Sequence, residues 1–84
     1  MTANNSEIDV TMFDKPSGNV RGMVNAFMQV KGKQKRIAHA TILVDESPVL
    51  MIESQKKLTL AELEVFTNTI ALFTTKVLEL TRES

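Results

Sequence analysis

Lys31, Lys33, Lys35 and Arg36 fall within one short stretch around Gly32. Four cations on a hairpin tip can clamp phosphates, with Arg21, Lys56 and Lys57 extending the patch, and such binding weakens with salt because phosphate contacts release counterions. The same residues also make an ordinary solvated turn, whose lysines discourage pairing between sheet edges. Formal net charge over the 84 residues is zero, which favours the second reading, since net charge governs non-specific attraction to nucleic acid.

His39 is the single histidine, and its ordinary pKa suits a general base or a proton switch. No carboxylate, Ser or Cys is arranged around it in the sequence, so a hydrogen-bonded structural histidine is expected. Asp45-Glu46 could act as an acid–base or metal-binding pair, but the following Ser47-Pro48 makes them solvated turn residues. With no cysteine, thiolate nucleophiles, thiolate metal sites and disulfides are excluded. Three glycines, at 18, 22 and 32, cannot write a phosphate-cradling loop or a dinucleotide fingerprint. No enzyme, cofactor or metal is expected.

Charge is unevenly spread. Residues 15 to 57 hold eight Lys and Arg against Asp45, Glu46 and Glu53, while both flanking segments are acidic. No apolar run approaches the roughly 18 residues of a membrane span. The polar start, Met1-Thr2-Ala3-Asn4-Asn5-Ser6, lacks the basic and apolar parts of a signal peptide. A cytoplasmic protein is expected, with residues 1–6 disordered and 7–84 forming one domain.

The elements that must position these residues begin with Glu7–Phe13, where polar and apolar residues alternate as in a half-buried strand. Asp14–Asn19 is a cluster of turn formers. From Val20 to Val30 the even positions are apolar or glycine, and the odd ones (Arg21, Met23, Asn25, Phe27, Gln29) are mixed. After a turn at Lys31-Gly32-Lys33-Gln34 the pattern repeats over 35–44. There Ala38, Ala40, Ile42 and Val44 share one face, and Ile37, His39, Thr41 and Leu43 the other. The small residues leave room for a helix to approach closely. Val49–Ser54 supplies another strand.

The helix itself spans about 59–82. Leu63, Phe66, Ile70, Phe73, Val77 and Leu80 recur three and four apart, which lines up one stripe. Thr59-Leu60-Ala61-Glu62 fits a capping box at its start. The expected fold is therefore α+β, an antiparallel meander of three to four strands with one long C-terminal helix on one sheet face. Further apolar residues lie off the stripe: Leu60, Ala71 and Leu78 on a flank, Val65 and Leu72 nearly opposite. One sheet cannot bury all of these, and a chain this small buries only about 60% of its unfolded surface. A two-fold homodimer through the helix is the simplest cover, with Leu60, Val65, Leu72, Phe73 and Leu78 assigned to its interface.

The order of strands followed by one long helix is similar to that of the dimeric single-stranded-DNA-binding transcriptional coactivators with a four-stranded sheet. That similarity of topology implies a fold, not a function. Stacking platforms for single strands are aromatic, and the mixed face offers Phe27, with Phe13 as a second candidate. The expected function is a non-enzymatic homodimeric module that binds or inhibits another protein through this face or the basic hairpin. Arg21, Phe27, Lys31, Lys33, Lys35, Arg36 and His39 are the expected contacts. The alternative is binding of single-stranded DNA or RNA by residues 31–36.

Overall fold

A computed structural model describes residues 6–45, 47–53 and 57–82. Alternating apolar positions fold into four strands, β1 (Ser6–Ser17), β2 (Val20–Val30), β3 (Lys33–Leu43) and β4 (Pro48–Ile52). They make one antiparallel sheet in the order β1-β2-β3-β4, followed by the helix α1 (Leu60–Arg82). The expected meander and C-terminal helix are what the chain forms. The expectations for residues 1–5, Glu46, Ser54 and Lys56 lie outside the described residues.

Turn chemistry fixes the hairpins. Lys31 and Gly32 both have positive φ, 52° and 80°, and Val30 pairs directly with Lys33. Two left-handed residues in a two-residue loop match the twist of the strands they join. The turn is thus tighter than Lys31–Gln34, and Lys33, Gln34, Lys35 and Arg36 belong to β3. Strand β1 likewise runs on through Asp14–Ser17, which composition reads as loop, and the chain reverses at Gly18-Asn19.

One face of the sheet is closed by α1, which packs over β2, β3 and β1 and makes little contact with β4. Val24, Ala26, Met28, Ala38, Ala40 and Ile42 line this face with Phe73 and Val77 of the helix above them. The smallest dimension of the molecule, 19 Å, is what one helix layer on one sheet layer occupies, given about 10 Å between packed layers. The small residues permit that approach, as expected.

Two bulges change which residues reach the core. Register slips between Ala26 and Phe27 against β3, so Ala26 faces Ala38 while Phe27 faces Arg36, and Ile37 is the extra residue. A bulge re-aims a side chain, and Ile37 is fully buried in the core rather than on the mixed face. A second slip, between Val20 and Gly22, leaves Arg21 as the extra residue of β2.

The helix starts as its capping box requires. The Glu62 N–H donates to Thr59 Oγ1 at 3.1 Å, and the Thr59 N–H donates to Glu62 Oε1 at 2.9 Å. Its buried line is Thr69, Phe73 and Val77, flanked by half-buried Val65, Phe66, Ile70 and Leu80. Leu63 is 48% exposed, so the helix is rotated a little from the expected stripe. Thr69 takes a core position because its Oγ1–H donates to the Val65 carbonyl at 2.7 Å. A buried hydroxyl with its hydrogen bond made costs little. Thr74 and Thr81 bond back to Ile70 and Val77 in the same way. Among the described residues, no helix is long and apolar enough to cross a membrane.

Candidate functional site

The sheet face away from α1 is the open one. Residues opposite one another in register share a face, so Asp9, Asn25, His39 and Met51 form one row across the four strands. Thr11, Met23, Thr41 and Val49 form the next. Met23, Val49 and Met51 are exposed large apolar residues in this face. Below these rows Phe27 pairs with Glu7 on one side and Arg36 on the other. Here the face sinks into an open depression of about 480 Å³ lined by Asn25, Phe27, Lys35, Arg36 and Glu53. Lys35 borders it from the free edge of β3, which β4 leaves uncovered.

The structure distributes the expected basic patch. Arg36 Nε donates to Glu53 Oε2 at 3.1 Å, an ion pair on the rim of the depression. Gln34 Nε2 donates to Glu7 Oε1 at 2.8 Å. Lys31 lies instead with Lys57, Leu58, Thr59 and Glu62 around a second hollow of about 250 Å³ at the start of the helix. Lys33 pairs with Val30 in register. The cations of the hairpin therefore address several directions, and the charge of Arg36 is matched by Glu53.

Arg21 is not a member of that patch. It sits at the far end of β2, where the bulge brings its Nη2–H to the Leu80 carbonyl at 3.1 Å. A cation at a helix C-terminus meets the negative end of the helix dipole and fills an otherwise unpaired carbonyl. Arg21 thus ties sheet to helix. Its Nε is buried with no partner among the described residues.

His39 is half-buried on the open face between Asn25 and Met51 in register. Among the described residues it has no hydrogen-bond partner, contrary to the expected hydrogen-bonded histidine. Asp45 is a turn residue, as expected: its Oδ1 accepts from the Ser47 N–H at 3.0 Å and from the Ser47 hydroxyl at 2.6 Å. Those two bonds hold its carboxyl below the ordinary 3.8. Among the described residues no three His, Cys, Asp or Glu side chains converge as metal ligands would.

The expected helix seam divides into two groups. Phe73 is fully buried against the chain's own sheet and Val65 packs against the same core, so neither faces outward. Leu60, Leu72 and Leu78 remain exposed, Leu60 at 86%. Leu50 and Ile52 escape both readings: they stand on the helix side of β4, opposite Ala40 and Ala38, yet α1 does not cover them. Their apolar run was visible in the sequence, but where the helix would sit across the sheet was not. No known family model matches the chain, nor does any curated protein or solved structure.

Proposed function

We propose that this chain is a non-enzymatic, homodimeric protein-interaction module that contacts another protein through its open sheet face. The observation that carries the reading is the gathering of exposed apolar side chains on one face, Val49 and Met51 on β4 with Met23 across Thr41 on β2, beside a depression lined by Phe27 and by charged side chains. Exposed apolar surface with a polar rim is what protein contacts use. Met adapts its shape to a partner. Phe27 is the anchor, and Lys35, Arg36 and Glu53 set orientation around it.

Nucleic-acid binding is the second reading, motivated by Lys31, Lys33 and Lys35 with Phe27 nearby. Against it stand the Arg36–Glu53 pair and the dispersal of the lysines.

Immobilised wild-type chain and Phe27→Ala are compared as baits for nuclease-treated lysate. The reading expects a protein captured by the wild type and lost with Phe27→Ala. Capture abolished by nuclease, together with binding of a single-stranded oligonucleotide that Lys33→Glu with Lys35→Glu removes, would replace it with the second reading. Equal capture by both baits would place the contact elsewhere.

A further inference from the structure

The two edges of the sheet are built differently. β1 carries Glu7, Asp9, Asp14, Lys15 and Pro16, and its register with β2 breaks between Met12 and Ser17. Charge, proline and irregular register keep an edge strand from recruiting another chain. The part of β3 beyond β4 carries Lys33, Lys35 and Arg36. By way of such protection β4 has only its shortness and Pro48, at its first residue. Its sequence, Pro48-Val49-Leu50-Met51-Ile52, holds no charge, and its side chains are exposed, Leu50 at 46% and Met51 at 56%.

The direction of its free backbone groups follows from two hydrogen bonds. The Leu43 N–H donates to the Ser47 carbonyl at 2.9 Å, and the Glu53 N–H donates to the Ile37 carbonyl at 2.8 Å. Successive residues of a strand turn their N–H and C=O to opposite sides. Ser47, Val49, Met51 and Glu53 therefore address β3. Pro48, Leu50 and Ile52 address the outside.

We propose that β4 is the homodimer seam: a second copy lays its own β4 antiparallel against it, with the two-fold axis at Leu50. Leu50 then faces Leu50, Val49 faces Met51, and Pro48 faces Ile52. Each Leu50 N–H donates to the other Leu50 carbonyl, and each Ile52 N–H donates to the other Pro48 carbonyl. Every outward N–H of the strand finds an acceptor, and the outward residue with nothing to donate is the proline. No charge meets its like, because the strand has none.

The pairing also shelters the apolar side chains that α1 leaves bare. On the helix side Leu50 meets Leu50, and Ile52 meets Pro48. Val49 meets Met51 on the open side, which merges the two open faces into one surface. This self-match, apolar against apolar along the whole strand, selects a second copy over an unrelated peptide. The inference rests on the homodimer proposed above and moves its seam from helix to strand.

Sedimentation equilibrium on the full chain tests it, with Leu50→Lys, Leu50→Pro and Leu72→Lys beside the wild type and circular dichroism as a check on folding. The wild type is expected at twice the chain mass of 9.4 kDa. Leu50→Lys, which sets two like charges on the axis, is expected to weaken the dimer about 100-fold or more with its spectrum unchanged. Leu50→Pro, which removes an outward N–H, is expected to weaken it likewise, and Leu72→Lys to leave it intact. Should either Leu50 variant lose its fold, the other carries the test. A dimer indifferent to Leu50 but broken by Leu72→Lys would return the seam to the helix and overturn the strand pairing alone. A wild-type monomer at 100 μM-scale loading would overturn pairing and homodimer together.

Discussion

Arg21 Nη2 donates to the Leu80 carbonyl at 3.1 Å, joining residues 59 apart in sequence at the corner where β2 begins and α1 ends. The bond exists because a bulge gives β2 one residue more than β3 needs between Val20 and Gly22. Arg21→Ala removes a cation from a helix C-terminus and leaves a part-buried carbonyl without its donor. A cost of about 1–2 kcal/mol is expected, with Arg21→Lys between the two. Thermal melts check it, at about 4–8 °C per kcal/mol for a domain of this size. An unchanged melting point for Arg21→Ala would mean the contact is idle.

The helix has a dry side and a wet side, and substitutions should separate them. Phe73 is fully buried and Leu60 is 86% exposed. Phe73→Ala should cost about 3–5 kcal/mol through lost contacts and the cavity left behind. Leu60→Ala should stay within about 0.5 kcal/mol, as exposed positions do. Urea denaturation compares them, and equal costs would contradict the helix orientation described here.

Most of the fold was legible in the residues. Period-two alternation, Gly18 and Gly32 at the reversals and the Thr59–Glu62 box each express a local rule, and each local rule found its element. What escaped were features decided between elements. A bulge is a mismatch between two strands, so nothing within 33–43 alone could send Ile37 into the core beside Ala38. The helix's rotation escaped for a related reason. Thr69 reads as polar, but its hydroxyl is satisfied by Val65 one turn back, and a small buried residue suits a helix resting on alanines. In the candidate site, Phe27 and His39 fell on the open face as alternation implies. Arg21 and the Arg36–Glu53 pair depended on register and could not be read in advance.

Gly22 lies under Met12, its partner in register, and the Met12 sulfur occupies the space a Cβ would need. The Thr11 carbonyl oxygen stands 3.0 Å from the same point. The sulfur and methyl end a flexible side chain that is 39% exposed and can swing aside, so Gly22→Ala should cost about 1 kcal/mol or less by crowding, net of alanine's ordinary gain over glycine in a strand. Shortening the neighbour with Met12→Ala should relieve part of that cost. A double-mutant cycle should then show a coupling of about 0.5 kcal/mol, and strict additivity would contradict the contact.

The Asp45 carboxyl is held below its ordinary 3.8 by the Ser47 hydroxyl first and the Ser47 N–H second. A carboxylate whose folded value is depressed favours the fold above its unfolded value. That contribution is lost as pH falls through the lower folded value. A carbon-detected NMR titration should place the Asp45 midpoint below that of an unstructured aspartate, and Ser47→Ala should move it up towards 3.8. Identical midpoints in the two proteins would remove Ser47 as the cause.

Amide hydrogen exchange reads the meeting of β4 with a second β4 residue by residue. At high protein concentration the Leu50 and Ile52 amides, which point away from β3, should be protected to a degree comparable with Val49 and Met51. On dilution below the dissociation constant, Leu50 and Ile52 alone should lose that protection. Rapid exchange at Leu50 and Ile52 at every concentration, with Val49 and Met51 protected throughout, would contradict it.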